Sequence, residues 1–335
     1  MSIQVSVCLI AYNHEKYVAQ ALDSILAQRT SFDFEVIARD DASTDGTADI
    51  LRDYGRRFPD KVRLILEEKN RFRDPEAKPL VGRVFAPQAR GRYLALCEGD
   101  DWWTSPDKLQ RQFDYMESHP ATQICCHAVE VVRNDGGRST ALLTYGPQER
   151  DISCDEVMEN WAKTTPEGIR SLHPSSCFSR REAEIAYASA WRLDVTAGDF
   201  VRMCYFAHNG TVHFMPEVMS AYRYLPDQSW TARAEQDAAV LEQHYVEFLT
   251  TMETLDELTG FEHHDAAMRG CRQRALLLAG MTTGKRFFES ESGRAVAPYL
   301  GVTDRFTLFA LRALNACGLR PSRDTSTGKV RIVRL

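Results

Sequence analysis

The first 100 residues alternate short apolar runs with segments whose apolar residues recur every three or four positions. Apolar runs bounded by polar residues predict β-strands, and they occupy Val5–Ala11, Phe34–Arg39, Val62–Leu66 and Tyr93–Cys97. The segments between them have helical spacing, which is clearest in Val18, Ala21, Leu22 and Ile25. Alternating strands and helices predict an α/β fold, with a mostly parallel central sheet and flanking helices.

The pattern is less regular after residue 101 and mainly helical after about residue 231. Four further elements are predicted: helices at 108–117, 181–190 and 199–208, and a strand at 123–132. We therefore expect a first domain at 1–230. A helical C-terminal region is expected at 231–335.

The composition is that of an ordinary soluble globular protein. Of 335 residues, 44% are hydrophobic and 26% charged, which excludes collagen-like and disordered chains. A formal charge of −6 argues against a nucleic-acid partner. The nine cysteines form no CxxC pair, which indicates reduced thiols in a cytoplasmic protein rather than a zinc site. The sequence shows neither a signal-peptide pattern nor an apolar run of about 20 residues.

The formal charge is unevenly distributed. Residues 285–335 hold ten Lys and Arg and four Asp and Glu, a charge of +6 that leaves −12 on the first 284 residues. The tail contains a predicted helix with one apolar face, formed by Phe306, Phe309, Ala310, Ala313, Leu314 and Cys317. A basic amphipathic helix is attracted to anionic lipid, so residues 303–335 are a predicted contact with a membrane surface. Packing of this helix on the first domain is the alternative.

Two acidic pairs follow predicted strands. Asp40 and Asp41 come directly after the second strand, and Asp100 and Asp101 come shortly after the fourth. Parallel sheets bind ligands beyond the carboxyl ends of their strands. Hard cations such as Mg²⁺ and Mn²⁺ prefer carboxylate oxygens and often share them with a diphosphate. The pairs therefore indicate a metal–diphosphate site, and solvated helix caps are the alternative.

Three segments together resemble the signature segments of glycosyltransferase family 2. They are Val5–Asn13, Arg39–Thr47 and Gly91–Asp101, and their order and spacing match the family over roughly residues 3–225. Ala42 stands where the family pattern has Gly. The resemblance implies inverting enzymes with the GT-A fold, in which a Rossmann-like nucleotide-binding half, here 1–101, is followed by an acceptor half, here 102–230.

The resemblance also implies a role for each acidic pair. The nucleotide would be bound by Ala11, Tyr12, Asn13, Asp40, Asp41, Arg71, Arg83 and Asp100. Among these, Asp41 would accept a hydrogen bond from the base, which is typically uracil. Asp101 would be the principal ligand of a divalent Mn or Mg ion, with Asp100 beside it.

The family has a catalytic carboxylate that opens a helix, and Gly198-Asp199-Phe200 fits that pattern. Asp199 is therefore the expected general base, and a simple helix cap is the alternative. The acceptor side would include His173, Trp102, Trp103 and Arg223. A late His of the family is replaced here by Leu225, so Asp227 or Arg223 would take its place.

The expected activity is metal-dependent transfer of a sugar from a nucleotide diphosphate, most often UDP, to a glycan or lipid-linked acceptor. In a bacterium the pathway would be O-antigen, capsule or exopolysaccharide synthesis at the cytoplasmic face of the inner membrane. The Gln-x-x-Arg-Trp motif of processive synthases is absent, which predicts one sugar added per encounter. A sugar-1-phosphate nucleotidyltransferase would need a Gly-rich loop after the first strand, where Ala11–Glu15 has no Gly. A non-catalytic carbohydrate-binding protein is the third alternative, and retention of both acidic pairs and Asp199 argues against it.

Overall fold

The computed structural model describes residues 2–72, 74–133, 138–161, 163–190, 198–224, 238–281, 291–304, 319–323 and 330–334. The chain forms two compact units, Met1–Ala232 and Arg233–Leu335. The division of the first unit into nucleotide and acceptor halves stays a prediction.

The strands of the first unit form one sheet. They are β1 (Ile3–Ala11), β2 (Asp33–Asp40), β3 (Val62–Leu66), β4 (Tyr93–Glu98), β5 (Trp102–Trp103), β6 (Thr122–Arg133), β7 (Arg138–Leu143), β8 (Arg150–Ile152), β9 (Thr164–Thr165), β10 (Gly168–Ile169), β11 (Phe178–Arg180) and β12 (Thr211–Tyr224). Their main order is β3-β2-β1-β4-β11-β6-β7-β10-β9, with β12 paired to β5, β6 and β8.

The N-terminal side of the sheet is parallel. β1 lies between β2 and β4, and β2 pairs with β3, all in parallel register. Ala11 is opposite Asp40, and Ile10 is opposite Glu98. The three strands that precede the predicted site segments therefore end at the same edge of the sheet.

The rest of the sheet is mixed. β11 is antiparallel to both β4 and β6, and β6 is antiparallel to β7. β12 is parallel to β6 but antiparallel to the short β5. The antiparallel β11 brings the segment before Phe178 to the carboxyl end of β4.

The helices of this unit are α1 (Val18–Leu26), α2 (Thr47–Arg57), α3 (Lys108–Ser118), α4 (Cys154–Asn160), α5 (Arg181–Ala190) and α6 (Gly198–Asn209). The apolar stripe predicted for α1 is buried at Val18, Ala21, Leu22 and Ile25. It packs in one core with side chains of β1, β2 and β4. Burying such side chains contributes roughly 1.5–3 kcal/mol each, which holds the helices on the sheet.

The second unit has its own elements. They are α7 (Ala238–Leu258), α8 (His264–Met281), α9 (Glu291–Val296), β13 (Leu319–Arg323) and β14 (Val330–Arg334). α7 contacts α8, and β13 and β14 pair antiparallel. The predicted amphipathic helix at residues 306–317 lies outside the described residues. Among the helices that are described, none combines the length and apolar character needed to cross a membrane.

Candidate active site

The ends of β1, β2 and β4 form the floor of the site. The backbone N–H of Asp41 donates to the carbonyl of Ala11 at 2.9 Å, and that of Gly99 donates to the carbonyl of Ile10 at 2.7 Å. Each acidic segment therefore stays attached to the central strand for one residue beyond its own strand. The two segments lie on either side of β1, as expected of parallel strands.

A buried ion pair fixes the carboxylate of Asp41. Its Oδ1 accepts a hydrogen bond from the guanidinium of Arg39 at 2.6 Å and another from the backbone N–H of Arg71 at 2.9 Å. Arg39 is buried and also donates to Glu67 at 3.0 Å. No residue in the described part of the chain donates to Oδ2 of Asp41. One carboxylate oxygen is thus held by the protein, and the other is available to a ligand.

The turn after β2 is closed by side chains. Both oxygens of Asp40 accept hydrogen bonds from Ser43, and Oδ1 of Asn13 accepts one from the backbone N–H of Thr44 at 2.8 Å. Asp40 is buried, and its carboxylate stabilises this turn through its hydrogen bonds with Ser43. Ala42 has φ of +61°, which explains why the family pattern has Gly there.

The other predicted nucleotide residues lie in less constrained positions. Tyr12, directly after β1, is 44% exposed. The side chain of Arg71 pairs with Asp74, Nε to Oδ2 at 2.8 Å. Arg83 lies in a π-helical turn, and its buried Nε has no hydrogen-bond partner in the described regions. These groups are present, but the structure assigns none of them to the base.

The carboxylate of Asp101 is oriented by the backbone. Its Oδ1 accepts a hydrogen bond from the backbone N–H of Arg223 at 2.9 Å, because β12 pairs with β5 next to it. The residue is 1% exposed, and Oδ2 has no hydrogen-bond partner among the described groups. Burial, reinforced by Asp100 and Glu98, raises the pKa of Asp101 well above its usual range.

Two further side chains face Asp101. Nδ1 of His173 lies 3.6 Å from Oδ2 of Asp101, and Nε2 of His173 lies 3.8 Å from Oε2 of Glu98. Burial lowers the pKa of His173 to about 3, so the imidazole is neutral. Burial, with Asp100 and Asp199 nearby, raises the pKa of Glu98 to about 8.

These three residues fit a divalent cation. One ligand atom from each lies within 4.8 Å of the others. An unpartnered buried carboxylate oxygen is costly, and two neighbouring carboxylates repel one another. A bound cation would relieve both costs, and a neutral imidazole is the protonation state that binds metals.

Asp199 lies in the first turn of α6, where the helix dipole favours a negative charge. The residue is exposed to solvent, yet surrounding protein raises the pKa of its carboxyl, with Arg202 lowering it and Glu184 raising it. Its charge contributes to the raised pKa of Glu98. The predicted base therefore lies within electrostatic range of the cluster around Asp101.

The guanidinium of Arg223 lies between two aromatic rings. It is 4.6 Å from the ring centroid of Tyr17 and 4.6 Å from that of Trp102. It also donates to the carbonyl of Asp100 at 3.0 Å and to Gln20 at 2.7 Å. Trp102 is half-buried, and Arg223 ties it to the acidic segment.

Trp103 lies in the core and not at an acceptor surface. Its indole N–H donates to the carbonyl of Ser175 at 3.1 Å, and Nζ of Lys108 lies 4.2 Å from its ring centroid. Lys108 is itself fully buried and donates to Gln112 at 2.7 Å. The ring is 4% exposed, so a sugar has no access to it.

The sequence predictions did not include Glu98 or His14 as site residues. Nε2 of His14 lies 3.7 Å from Oδ2 of Asp100, and a side chain at Gly99 would clash with this imidazole. Glu98 lies within one of the three motif segments and His14 directly follows another, and this position is what could have identified them as site residues. His173, which the resemblance assigns to the acceptor side, lies beside Asp101.

Comparison with known proteins adds the family. The family described as Glycosyl transferase family 2 matches residues 6–175. The chain is 32% identical over 283 residues to the uncharacterized protein Rv1520 of Mycobacterium tuberculosis (strain ATCC 25618 / H37Rv), covering 84% of this chain and 76% of that protein. It is 33% identical over 112 residues to a Bacillus subtilis (strain 168) protein provisionally named teichuronic acid biosynthesis glycosyltransferase TuaG, covering 33% and 41%.

Solved structures show the same fold. TarS residues 1–349 of S. aureus, in complex with UDP-GlcNAc, gives a TM-score of 0.55 at 16% identity over 99% of this chain and 97% of that one. The mannosyltransferase PcManGT of Pyrobaculum calidifontis, in complex with GDP-Man and Mn²⁺, gives 0.52 at 18% identity over 93% and 85%. The predicted α/β fold with a GT-A architecture is confirmed by these similarities. The chain belongs to glycosyltransferase family 2 and is a glycosyltransferase.

Proposed function

We propose that this enzyme transfers one sugar, with inversion, from a UDP-sugar to a glycan or lipid-linked acceptor in a divalent-metal-dependent reaction. The observation that carries the proposal is the orphaned Oδ2 of Asp101, which faces Glu98 and His173 within electrostatic range of Asp199. A cation site and a separate carboxylate are the two groups that inverting transfer from a diphosphate requires.

The environment of Asp41 supports uracil as the base. A carboxylate oxygen has two lone pairs, and Oδ1 already accepts two hydrogen bonds, from Arg39 and Arg71. The remaining Oδ2 suits a base with a single N–H on that edge, which is the N3–H of uracil. Guanine presents adjacent N1–H and N2–H donors, which call for two free oxygens. We therefore expect Asp41 to favour UDP over GDP.

Asp101, with Asp100 beside it, would hold the cation. When bound, a divalent ion neutralises the negative charge that develops on the leaving diphosphate. The chain contributes the orientation, because a backbone N–H fixes Asp101. Arg223 adds a positive charge next to the carbonyl of Asp100 and holds Trp102 beside the site.

Asp199 would act as the general base. Its carboxylate accepts the proton of the acceptor hydroxyl while that oxygen forms a bond to the anomeric carbon. The bond from this carbon to the diphosphate oxygen breaks on the opposite face, and its electron pair leaves with UDP. One base and one departing diphosphate balance the reaction, and inversion follows from attack opposite the leaving group.

The decisive experiment compares Asp199 with an aspartate near the start of another helix. Asp199 and Asp49 both lie in the first turn of a helix, and Asp49 only forms an exposed ion pair with Arg52. We expect Asp199→Asn to lower the turnover number by about 100- to 10,000-fold. Asp49→Asn should retain wild-type activity. Equal activity of both variants would show that Asp199 is not the base.

A donor screen tests the substrate. Nucleotide release by the wild-type enzyme is measured with UDP-, GDP- and dTDP-sugars, each with Mn²⁺ and with EDTA. Release that is fastest from a UDP-sugar and is lost in EDTA supports the proposal. Metal-independent release, or a preference for GDP-sugars, would contradict it. Asp41→Asn should raise the KM for the preferred donor, because an amide offers the base a donor where the carboxylate offers an acceptor.

We also propose a role in surface polysaccharide assembly at the cytoplasmic face of a membrane. TuaG is provisionally named for teichuronic acid synthesis, and residues 285–335 of this chain carry a formal charge of +6. A basic segment of that size is attracted to anionic lipid. The full chain should co-sediment with phosphatidylglycerol vesicles at low salt, and a chain ending at residue 302 should do so less. Equal sedimentation of the two would remove the membrane role of 303–335.

A further inference from the structure

Three side chains from two segments of the chain lie close together at the carboxyl end of β4. Glu98 ends the strand, Asp101 follows it, and His173 precedes the 3₁₀ turn that leads into β11. Asp101 and His173 are 1% and 9% exposed, and each comes within 4 Å of the next polar group without a hydrogen bond between them. The side chain of Glu98 is 38% exposed, whereas the buried Oδ2 of Asp101 has no hydrogen-bond partner among the described groups. A buried polar atom without a partner indicates a missing ligand.

The imidazole of His173 is held in one orientation. Its Nδ1 lies 2.9 Å from the hydroxyl of Ser175, which is 3.1 Å from the hydroxyl of Ser220, and its ring centroid is 4.6 Å from that of Tyr222. Nε2, the other nitrogen, faces Glu98. In the tautomer with the proton on Nδ1, that nitrogen donates a hydrogen bond to the Ser175 hydroxyl and no longer accepts the 3.3 Å contact from the Ser175 backbone N–H. Nε2 then carries a lone pair that can bind a metal ion.

We propose that His173 is a ligand of the cation together with Asp101 and Glu98, and that this set selects a first-row transition ion such as Mn²⁺ over Mg²⁺. The inference rests on the proposed metal-dependent function and adds the identity of the third ligand and of the ion. A site made of carboxylates alone suits Mg²⁺, which demands oxygen ligands. An imidazole nitrogen favours transition ions and contributes little to Mg²⁺ binding.

A second consequence is that the site is complete without substrate. Three protein ligands provide half of an octahedral shell, so the cation does not depend on a donor diphosphate to be held. We therefore expect the full-length protein to bind one Mn²⁺ in the absence of any nucleotide. Mg²⁺ should bind more weakly under the same conditions.

The test measures metal binding, not turnover. Free Mn²⁺ is followed by electron paramagnetic resonance during titration of the nucleotide-free protein, and Mg²⁺ binding is followed by calorimetry. We expect His173→Asn to weaken Mn²⁺ binding by at least the roughly 10- to 100-fold that losing even a supporting residue costs. Mg²⁺ binding should weaken by a smaller factor, so the preference for Mn²⁺ falls. His119→Asn is the matched control, because His119 is an exposed imidazole bonded to Tyr115.

A spectroscopic measurement on the wild-type protein makes the test independent of folding. Electron spin echo modulation of bound Mn²⁺ should show coupling to a ¹⁴N nucleus, and the coupling should change in protein labelled with ¹⁵N-histidine. Absence of nitrogen coupling would overturn the proposal, and so would an unchanged Mn²⁺ affinity in His173→Asn.

The outcome is separable from that of the proposed function. If the wild-type enzyme releases UDP with Mn²⁺ but His173→Asn binds Mn²⁺ as well as the wild type does, only the ligand assignment is wrong. If Mn²⁺ binds through nitrogen but no nucleotide sugar is turned over, the metal site stands and the proposed function fails. Binding of Mn²⁺ only after UDP is added would also contradict a site complete without substrate.

Discussion

The guanidinium of Arg202 pairs with both carboxylate oxygens of Glu184, one helical turn after Asp199. The Nε of Arg202 lies 3.1 Å from each oxygen, and the hydroxyl of Ser179 donates to the same carboxylate at 2.6 Å. Glu184 is fully buried and Arg202 is 4% exposed. The pair joins α6, which carries Asp199, to α5 and to Ser179 of β11.

Removing one partner of this pair should destabilise the fold. Arg202→Met leaves the carboxylate of Glu184 buried without its cation, which costs about 3–5 kcal/mol of unfolding free energy. The control is Arg52→Ala, which breaks the exposed pair with Asp49 and should cost at most about 1 kcal/mol. Urea denaturation measures both. Equal costs would mean that the buried pair contributes no more than a surface pair.

The same pair should set the pH dependence of transfer. Desolvation by the surrounding protein raises the pKa of the Asp199 carboxyl, Arg202 lowers it, and Glu184 raises it. A general base must be ionised, so the rate falls as the pH falls through this raised pKa. Glu184→Gln removes a charge that raises the pKa, and the acid limb of the kcat/KM profile should move to lower pH. Glu117→Gln, which changes a carboxylate paired with Arg92, should leave the limb in place.

Ala42 should be a site where glycine stabilises the protein. Its φ of +61° is unfavourable for a residue with a Cβ, at a cost of roughly 1–2 kcal/mol. Ala42→Gly relieves this cost, although the more flexible unfolded chain offsets part of the gain. Ala186→Gly, at an exposed position inside α5, should instead destabilise by about 0.5–1 kcal/mol. Opposite signs in thermal unfolding would support the assignment, and a lower stability of Ala42→Gly would contradict it.

Lys108 should make stability rise with pH in the alkaline range. Burial lowers its pKa to about 8 from the ordinary 10.5. Below pH 8 both the folded and unfolded states are protonated, and the full cost of the buried charge is present. Between pH 8 and 10.5 the unfolded state holds more protons, so the stability of the folded state increases. Lys108→Met should lack this increase, whereas Lys69→Met, at an exposed position, should retain it when urea unfolding is followed from pH 7.5 to 10.

The local elements could be predicted from the sequence because their signals are local. The strand predicted at Val62–Leu66 has those bounds in the structure, and the helix predicted at 181–190 is Arg181–Ala190. The antiparallel half of the sheet could not be predicted in the same way. β11 is only three residues long, and its pairing with β4 joins Phe178 to Ala95, far apart in sequence.

That non-local pairing also explains why the proximity of His173 to Asp101 is not evident in the sequence. The sequence neighbours of His173 resemble an acceptor-side segment, and nothing local connects it to Asp101. The antiparallel run of β11 along β4 makes that connection. The role of Glu98 is not evident in the sequence for another reason. It is the last residue of a strand, where a charged side chain is ordinarily interpreted as exposed to solvent. Its raised pKa depends on burial and on the acidic groups that the fold brings around it.

The hydrogen bond from the backbone N–H of residue 223 to Asp101 limits which substitutions at position 223 can disturb the site. The donor is a main-chain N–H, so replacing the side chain of Arg223 leaves it intact. Only proline, which lacks that hydrogen, would abolish it directly. The pairing of β12 with β5 therefore sets the direction of the Asp101 carboxylate. The side chain at position 223 can be replaced, and the charge beside the site changed, without loss of this hydrogen bond.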